Sequence, residues 1–108
     1  MMEQTSEINV FHAKLFAYFL DRMRSTRDAD GSLLDSSLIV YGSGMGDGDL
    51  HTQQKMPIAV VGGVKGGRHI AVPEATPFAN LHITLLNMAG VPTDSLGNST
   101  GKLNLSAA

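Results

Sequence analysis

Ser37-Leu38-Ile39-Val40-Tyr41 runs directly into Gly42-Ser43-Gly44-Met45-Gly46-Asp47-Gly48. The first five residues are mostly apolar, partly β-branched and flanked by turn formers, which predicts a short buried strand. The next seven place a glycine at every second position, and no helical periodicity appears before Gln54. The strand therefore ends in a long irregular loop. Pro57-Ile58-Ala59-Val60-Val61 reads as a second strand, with its proline at the start, where a missing N–H is tolerated. Parallel neighbours normally need a helical crossover, and this connection has none. The two strands are thus expected to pair antiparallel or to be separated by strands from elsewhere.

Downstream, Gly62 to Gly67 turns the chain and Arg68 to Val72 is read as a short third strand. The last helix is marked at both ends: Thr76 as cap, Pro77 at the first helical position, Gly90 as the stop and Pro92 just beyond. Its expected apolar stripe is Phe78, Leu81, Leu85, Met88 and Ala89. The tail from Thr93 is polar and contains glycine.

Upstream, Asp28-Ala29-Asp30-Gly31 is a turn, preceded by a helix from about Glu7 to Thr26 with Thr5 or Ser6 as its cap. Its apolar residues (Ile8, Phe11, Leu15, Phe16, Tyr18, Phe19, Leu20 and Met23) span roughly 200° of the helix surface, about twice the minimum stripe of a surface helix. One neighbouring layer cannot cover that arc. The order is α-β-β-β-α. The expected architecture is an α/β fragment in which a small mixed sheet is flanked by helices. It forms one domain over residues 1–108, the C-terminal piece of a larger protein. The expected partners are a second copy, giving a homodimer, or the missing N-terminal part.

Composition narrows the function. Of 108 residues, 43% are hydrophobic and 17% charged, which is globular usage. The net charge of −2 provides no field for collecting nucleic-acid phosphates. The chain has no cysteine, so disulfides, thiolate ligands and a cysteine nucleophile are excluded. No apolar run approaches the roughly 20 residues that would insert through a bilayer. Residues Met1 to Val10 do not have the layout of a secretory signal, so an exported parent would carry its signal upstream.

Among the motifs, Asp28 to Gly31 fails as a calcium loop. With Gly31 at the sixth position, Thr26 and Ser37 stand where the first carboxylate and the bidentate glutamate belong. The loop from Gly42 fails as a dinucleotide site, because Asp47 occupies the sixth position and no helix follows. Gly62 to Arg68 lacks the Gly-Lys-Ser/Thr ending of a phosphate loop. Asp47 and His51 remain as candidate metal ligands. They lie in a loop beyond a strand end, where α/β proteins place chemistry, and carboxylate with imidazole suits zinc, manganese or iron. A polar loop folded by its glycines accounts for the same residues equally well. Zinc sites take three or four protein ligands, so these two alone do not complete one. His12, His69 and His82 are read as surface or boundary residues.

The stretches Phe11-His12-Ala13-Lys14-Leu15-Phe16-Ala17-Tyr18-Phe19-Leu20 and Gly31 to Gly44 resemble an uncharacterised, typically exported bacterial family named for a His-x-x-Ser-His-His motif. Lys65-Gly66-Gly67-Arg68-His69, Asn80-Leu81-His82 and Gly97-Asn98-Ser99-Thr100-Gly101 fit the same pattern. The similarity covers nearly the whole chain but only the last quarter or so of a family member, and the naming motif is absent here. The family is related to the alkaline phosphatase and sulfatase group. The resemblance implies a mixed sheet flanked by helices, divalent metals, hydrolysis of phosphate or sulfate esters, and an exported or periplasmic location. In those relatives the strand matching Leu38–Tyr41 ends in Ser-Asp-His-Gly, whose Asp and His bind metal; Gly44 and Met45 stand there in this chain. Asp47 and His51, a few residues on, are then the candidates to replace them. Two readings follow: a chain that contributes ligands to a hydrolase site completed elsewhere, without activity alone, or a non-catalytic binding or scaffold module whose metal site has degenerated.

Overall fold

The computed structural model describes residues 2–105. The elements in chain order are α1 (Met2–Ser25), β1 (Arg27–Asp28), β2 (Gly31–Ser32), β3 (Leu38–Gly42), β4 (Ile58–Gly62) and α2 (Phe78–Met88). Contacts gather the chain into two units, one formed by residues up to Ser37 with Val61–Gly63, the other by Leu38–Val60 with the chain from Val64.

The first unit is built on α1. The helix begins five residues before the expected Glu7, because Met2, Glu3 and Gln4 are good helix formers. Thr5 and Ser6 therefore lie inside it and are not caps. Glu3 sits in the first turn and Arg22 and Arg24 in the last, matching the dipole. At the C-terminal end the hydroxyls of Ser25 and Thr26 donate to the carbonyls of Asp21 and Arg22. The chain then reverses through a hairpin: Arg27 pairs with Ser32 and Asp28 with Gly31, leaving Ala29-Asp30 as a two-residue loop. Leu34 N–H reaches back to the Met23 carbonyl, 3.3 Å away, which ties the hairpin to the helix. No residue of α1 is buried, although Phe16, Leu20 and Met23 are half-covered.

Ser32 and Asp35 close the turn after the hairpin reciprocally. Asp35 N–H donates to Ser32 Oγ at 3.2 Å, and Ser32 N–H donates to Asp35 Oδ2 at 3.1 Å. This is the geometry of a capping box. It draws the Asp35 carboxyl below its ordinary pKa, chiefly through the Ser32 backbone N–H, with the Ser32 hydroxyl and Arg27 acting in the same direction. Asp28 is lowered too, first by the Ser36 hydroxyl at 2.7 Å and then by Ala29 N–H.

β3 and β4 form a two-stranded sheet. Ser37 accepts from Gly63 N–H at one end and Gly42 lies against Ile58 at the other, so the strands are antiparallel. β3 is half-buried, with Val40 exposed, so the expectation of a fully buried strand is not met. The expected third strand, Arg68–Val72, forms no ladder. Its residues Arg68 to Ala71 alternate between half-buried and exposed, as an extended segment does, but no neighbouring strand pairs with it. The described residues are thus mixed α and β, with two small antiparallel sheets in place of one mixed sheet.

The core of the second unit lies on α2, where Leu81, Ile83 and Leu85 are buried and Ile83 is fully enclosed. Leu81 and Leu85 belong to the expected stripe. Phe78 and Met88 are exposed instead, and Ile83 is buried on the far side of the helix. A polar face lies next to Ile83. Asn80, Thr84 and Asn87, spaced four and three residues apart, share one helix face. Asn80 Nδ2 donates to Thr100 Oγ1 at 3.0 Å and Asn80 Oδ1 accepts from Thr100 N–H at 2.9 Å. Thr84 Oγ1 lies 2.7 Å from the Leu103 carbonyl and 2.9 Å from Leu103 N. Asn87 Nδ2 donates to the Thr93 carbonyl at 2.8 Å. The tail is fastened along this face, which borders Ile83 on the helix surface.

At the N-terminus of α2, Pro77 is the cap and no side chain bonds to the first turn; the Thr76 hydroxyl donates instead to the Pro73 carbonyl at 2.6 Å. At its C-terminus, Gly90 N–H donates to Asn87 and Val91 N–H to Leu86, the paired bonds of a Schellman stop. No helix among the described residues is long and apolar enough to cross a membrane.

Candidate functional site

The loop between β3 and β4 carries both candidate ligands, and its backbone explains its glycines. Asp47 and Thr52 form an isolated antiparallel bridge. Thr52 N–H donates to the Asp47 carbonyl at 3.2 Å, and the Thr52 carbonyl accepts from Gly46 N–H at 2.8 Å. Gly46 passes so close to the Gln54 carbonyl oxygen that any Cβ would overlap it, whereas Gly44 and Gly48 have open space around them. Of these glycines, Gly46 is the one that close approach requires.

Asp47 folds the tip. Its Oδ1 accepts from Asp49 N–H at 2.9 Å and from Leu50 N–H at 3.1 Å. Short Asp side chains favour turns by this local bonding. His51 follows in the left-handed region at φ 54°, with Nδ1 at 3.3 Å from the Asp49 carbonyl. Both residues are exposed. The loop backbone thus orients each of them through one atom. The bonds that hold these side chains fall on Asp47 Oδ1 and His51 Nδ1.

Beside this loop lies an open cavity of about 440 Å³, lined by Val40, Gly42, Ser43, Gly44, Gln53, Met56, Ile58 and Phe78. Its polar groups are the Gln53 amide and the Ser43 hydroxyl, which accepts from Met45 N–H at 3.3 Å. Neither Asp47 nor His51 is among the lining residues, so the two do not share this cavity. Among the described residues no three His, Cys, Asp or Glu side chains gather as a metal would require. The two candidates alone do not fit a closed or a catalytic metal centre.

The other histidines take local roles. His82 is half-buried, its ring edge-on to Phe78 at 4.4 Å between centroids, and His12 stands 5.9 Å from Phe11. His69 is exposed. Sequence reasoning missed the Ser32–Asp35 pair and the Asn80, Thr84, Asn87 stripe. Both carry visible signals: Ser-x-x-Asp for the first, polar residues at helical spacing ahead of a hydroxyl-rich tail for the second.

Comparison of the chain with family models, with curated proteins and with solved structures returned no match.

Proposed function

We propose that this chain is the C-terminal part of an exported, alkaline phosphatase- and sulfatase-like bacterial protein. It would present Asp47 and His51 to a divalent-metal ester hydrolase site completed by other parts of that protein. The observation that supports this reading is how the two side chains are held. A ligating carboxylate fixed through one oxygen leaves the other to bind, and a histidine whose Nδ1 faces a backbone carbonyl is set to ligate through Nε2. Asp47 and His51 show these two arrangements on one short loop. The resemblance of the flanking stretches supplies the reaction class. With only two candidate ligands and no third gathered beside them among the described residues, the chain alone is expected to be inactive toward phosphate and sulfate esters.

A second reading, a non-catalytic binding or scaffold module, is favoured by one specific observation. The two backbone bonds to Asp47 Oδ1 explain that residue as a loop-folding device without any metal.

NMR titration with zinc or manganese separates the two. The metal-binding reading expects ring shifts at His51 together with changes at Asp47, both removed by Asp47→Asn. That variant keeps the Oδ1 acceptor and so keeps the loop. Shifts that persist in both Asp47→Asn and His51→Asn refute it. Hydrolysis of nitrophenyl phosphate and sulfate by the chain should stay at background; turnover that follows the protein through purification and vanishes in Asp47→Ala would overturn that expectation.

A further inference from the structure

The exposed face of α1 is ordered in a way that identifies its occupant. Gln4, Ile8, Phe11, Leu15, Tyr18 and Arg22 are spaced 4-3-4-3-4, the repeat of a coiled-coil seam. The four apolar members remain 55%, 59%, 50% and 64% exposed. The seam lies about 120° around the helix from the half-covered stripe of Phe16, Leu20 and Met23, so the two are separate surfaces. From these features we infer that α1 pairs antiparallel with α1 of a second copy of this chain.

Three features select that occupant. The spacing reads the same from either end, so a second copy turned end for end meets it in register: Ile8 against Tyr18, Phe11 against Leu15, Gln4 against Arg22. Polar residues at both ends of the seam limit its length and set its direction. A parallel pair would bring Arg22 onto Arg22, whereas the antiparallel pair gives Arg22 a glutamine amide and the Glu3 end of the partner helix, with opposed dipoles. Area also suffices. Half-exposed side chains of this size leave on the order of 100 Å² each, and with Phe19 and the Lys14 and Arg22 stems two copies close about 1,200 Å², the lower bound of specific interfaces. The arrangement is an isologous twofold, the commonest closed assembly.

The chain has no cysteine of its own, so introduced thiols report the geometry directly. Light scattering on the full chain at micromolar concentration should give twice 11.4 kDa, falling toward 11.4 kDa on dilution. Phe11→Glu with Leu15→Glu should give the smaller mass at every concentration. The Asn80 and Thr84 amide signals should stay unchanged, showing that the second unit remains folded. Under mild oxidation, Gln4→Cys mixed with Arg22→Cys should cross-link, while neither variant alone should. A monomer at all concentrations overturns the inference and leaves the seam to another chain segment or a foreign partner. A dimer insensitive to the double substitution, or one in which each cysteine variant links to itself, overturns it as well.

Discussion

Truncating Asn80 to alanine should loosen the C-terminal tail before anything else in the molecule changes. Asn80 is 7% exposed, and its amide meets Thr100 twice, as acceptor from the backbone N–H and as donor to the hydroxyl. A hydrogen bond of this kind contributes about 1 kcal/mol net, and removing one partner of a buried pair adds part of a desolvation penalty. The Asn80 side chain accounts for two such bonds, so Asn80→Ala should cost about 2–3 kcal/mol. Thr100 is itself exposed, so water can take over some of its bonding and the lower half of that range is expected. Thr100→Val removes only the hydroxyl and should cost about 1 kcal/mol. The double variant should show coupling of about 1 kcal/mol, since the two share one bond. Native-state hydrogen exchange is the assay, because it reads local opening. The Thr100 and Leu103 amides should lose protection by the full amount, while Ile83 and Leu85 lose less. If Asn80→Ala leaves Thr100 protection within about 0.5 kcal/mol of the parent, the tail is not held by this face.

Two further perturbations follow from the first unit. Gly62 has φ 119°, and an added Cβ would overlap the Ser37 carbonyl oxygen, so Gly62→Ala should destabilise by about 2–4 kcal/mol in urea unfolding; a variant equal to the parent would contradict this. Asp28 and Asp35 have lowered pKa values, so the stability from their contacts is fully present above the ordinary aspartate value of about 4 and is lost as pH falls through their lowered values. Thermal melts of the first unit should therefore be level from pH 7 to about 5 and fall below about 4, and Asp28→Asn with Asp35→Asn should flatten that fall. NMR titration midpoints at or above the ordinary value would refute the assignment.

How much of this was legible depended on which force shaped each part. β3 and β4 were readable because an apolar, β-branched run between turn formers has few other uses. A connection without a helix left antiparallel pairing or separation by other strands, and the structure shows the first. The stop of α2 at Gly90 was readable for the same reason, since the signal is local. Arg68–Val72 looked like a strand but has no ladder, because a strand exists only where a partner is available, and that information is not local. The α2 stripe went half wrong at Ile83, since a search for apolar periodicity ignores a face closed by amides and hydroxyls. Two stretches noted separately for their family resemblance, around Asn80 and around Thr100, turn out to be bonded to each other. Their spacing in sequence gave no hint of it.

The candidate site shows the same limit at the level of one carboxylate. Asp47 lies beyond a strand end, on the loop that leaves β3, with His51 a few residues on. What could not be read was how Asp47 Oδ1 would be used. Its bonds to Asp49 and Leu50 do work that an asparagine could do equally well, so folding the tip does not demand a negative charge. The charge is left exposed to solvent. His51 takes a left-handed backbone at φ 54°, a region in which Asn, Asp and His are the enriched non-glycine residues. Loop geometry accommodates both residues with or without a metal, and that is why Asp47→Asn and His51→Asn, which spare the geometry, separate metal binding from scaffolding.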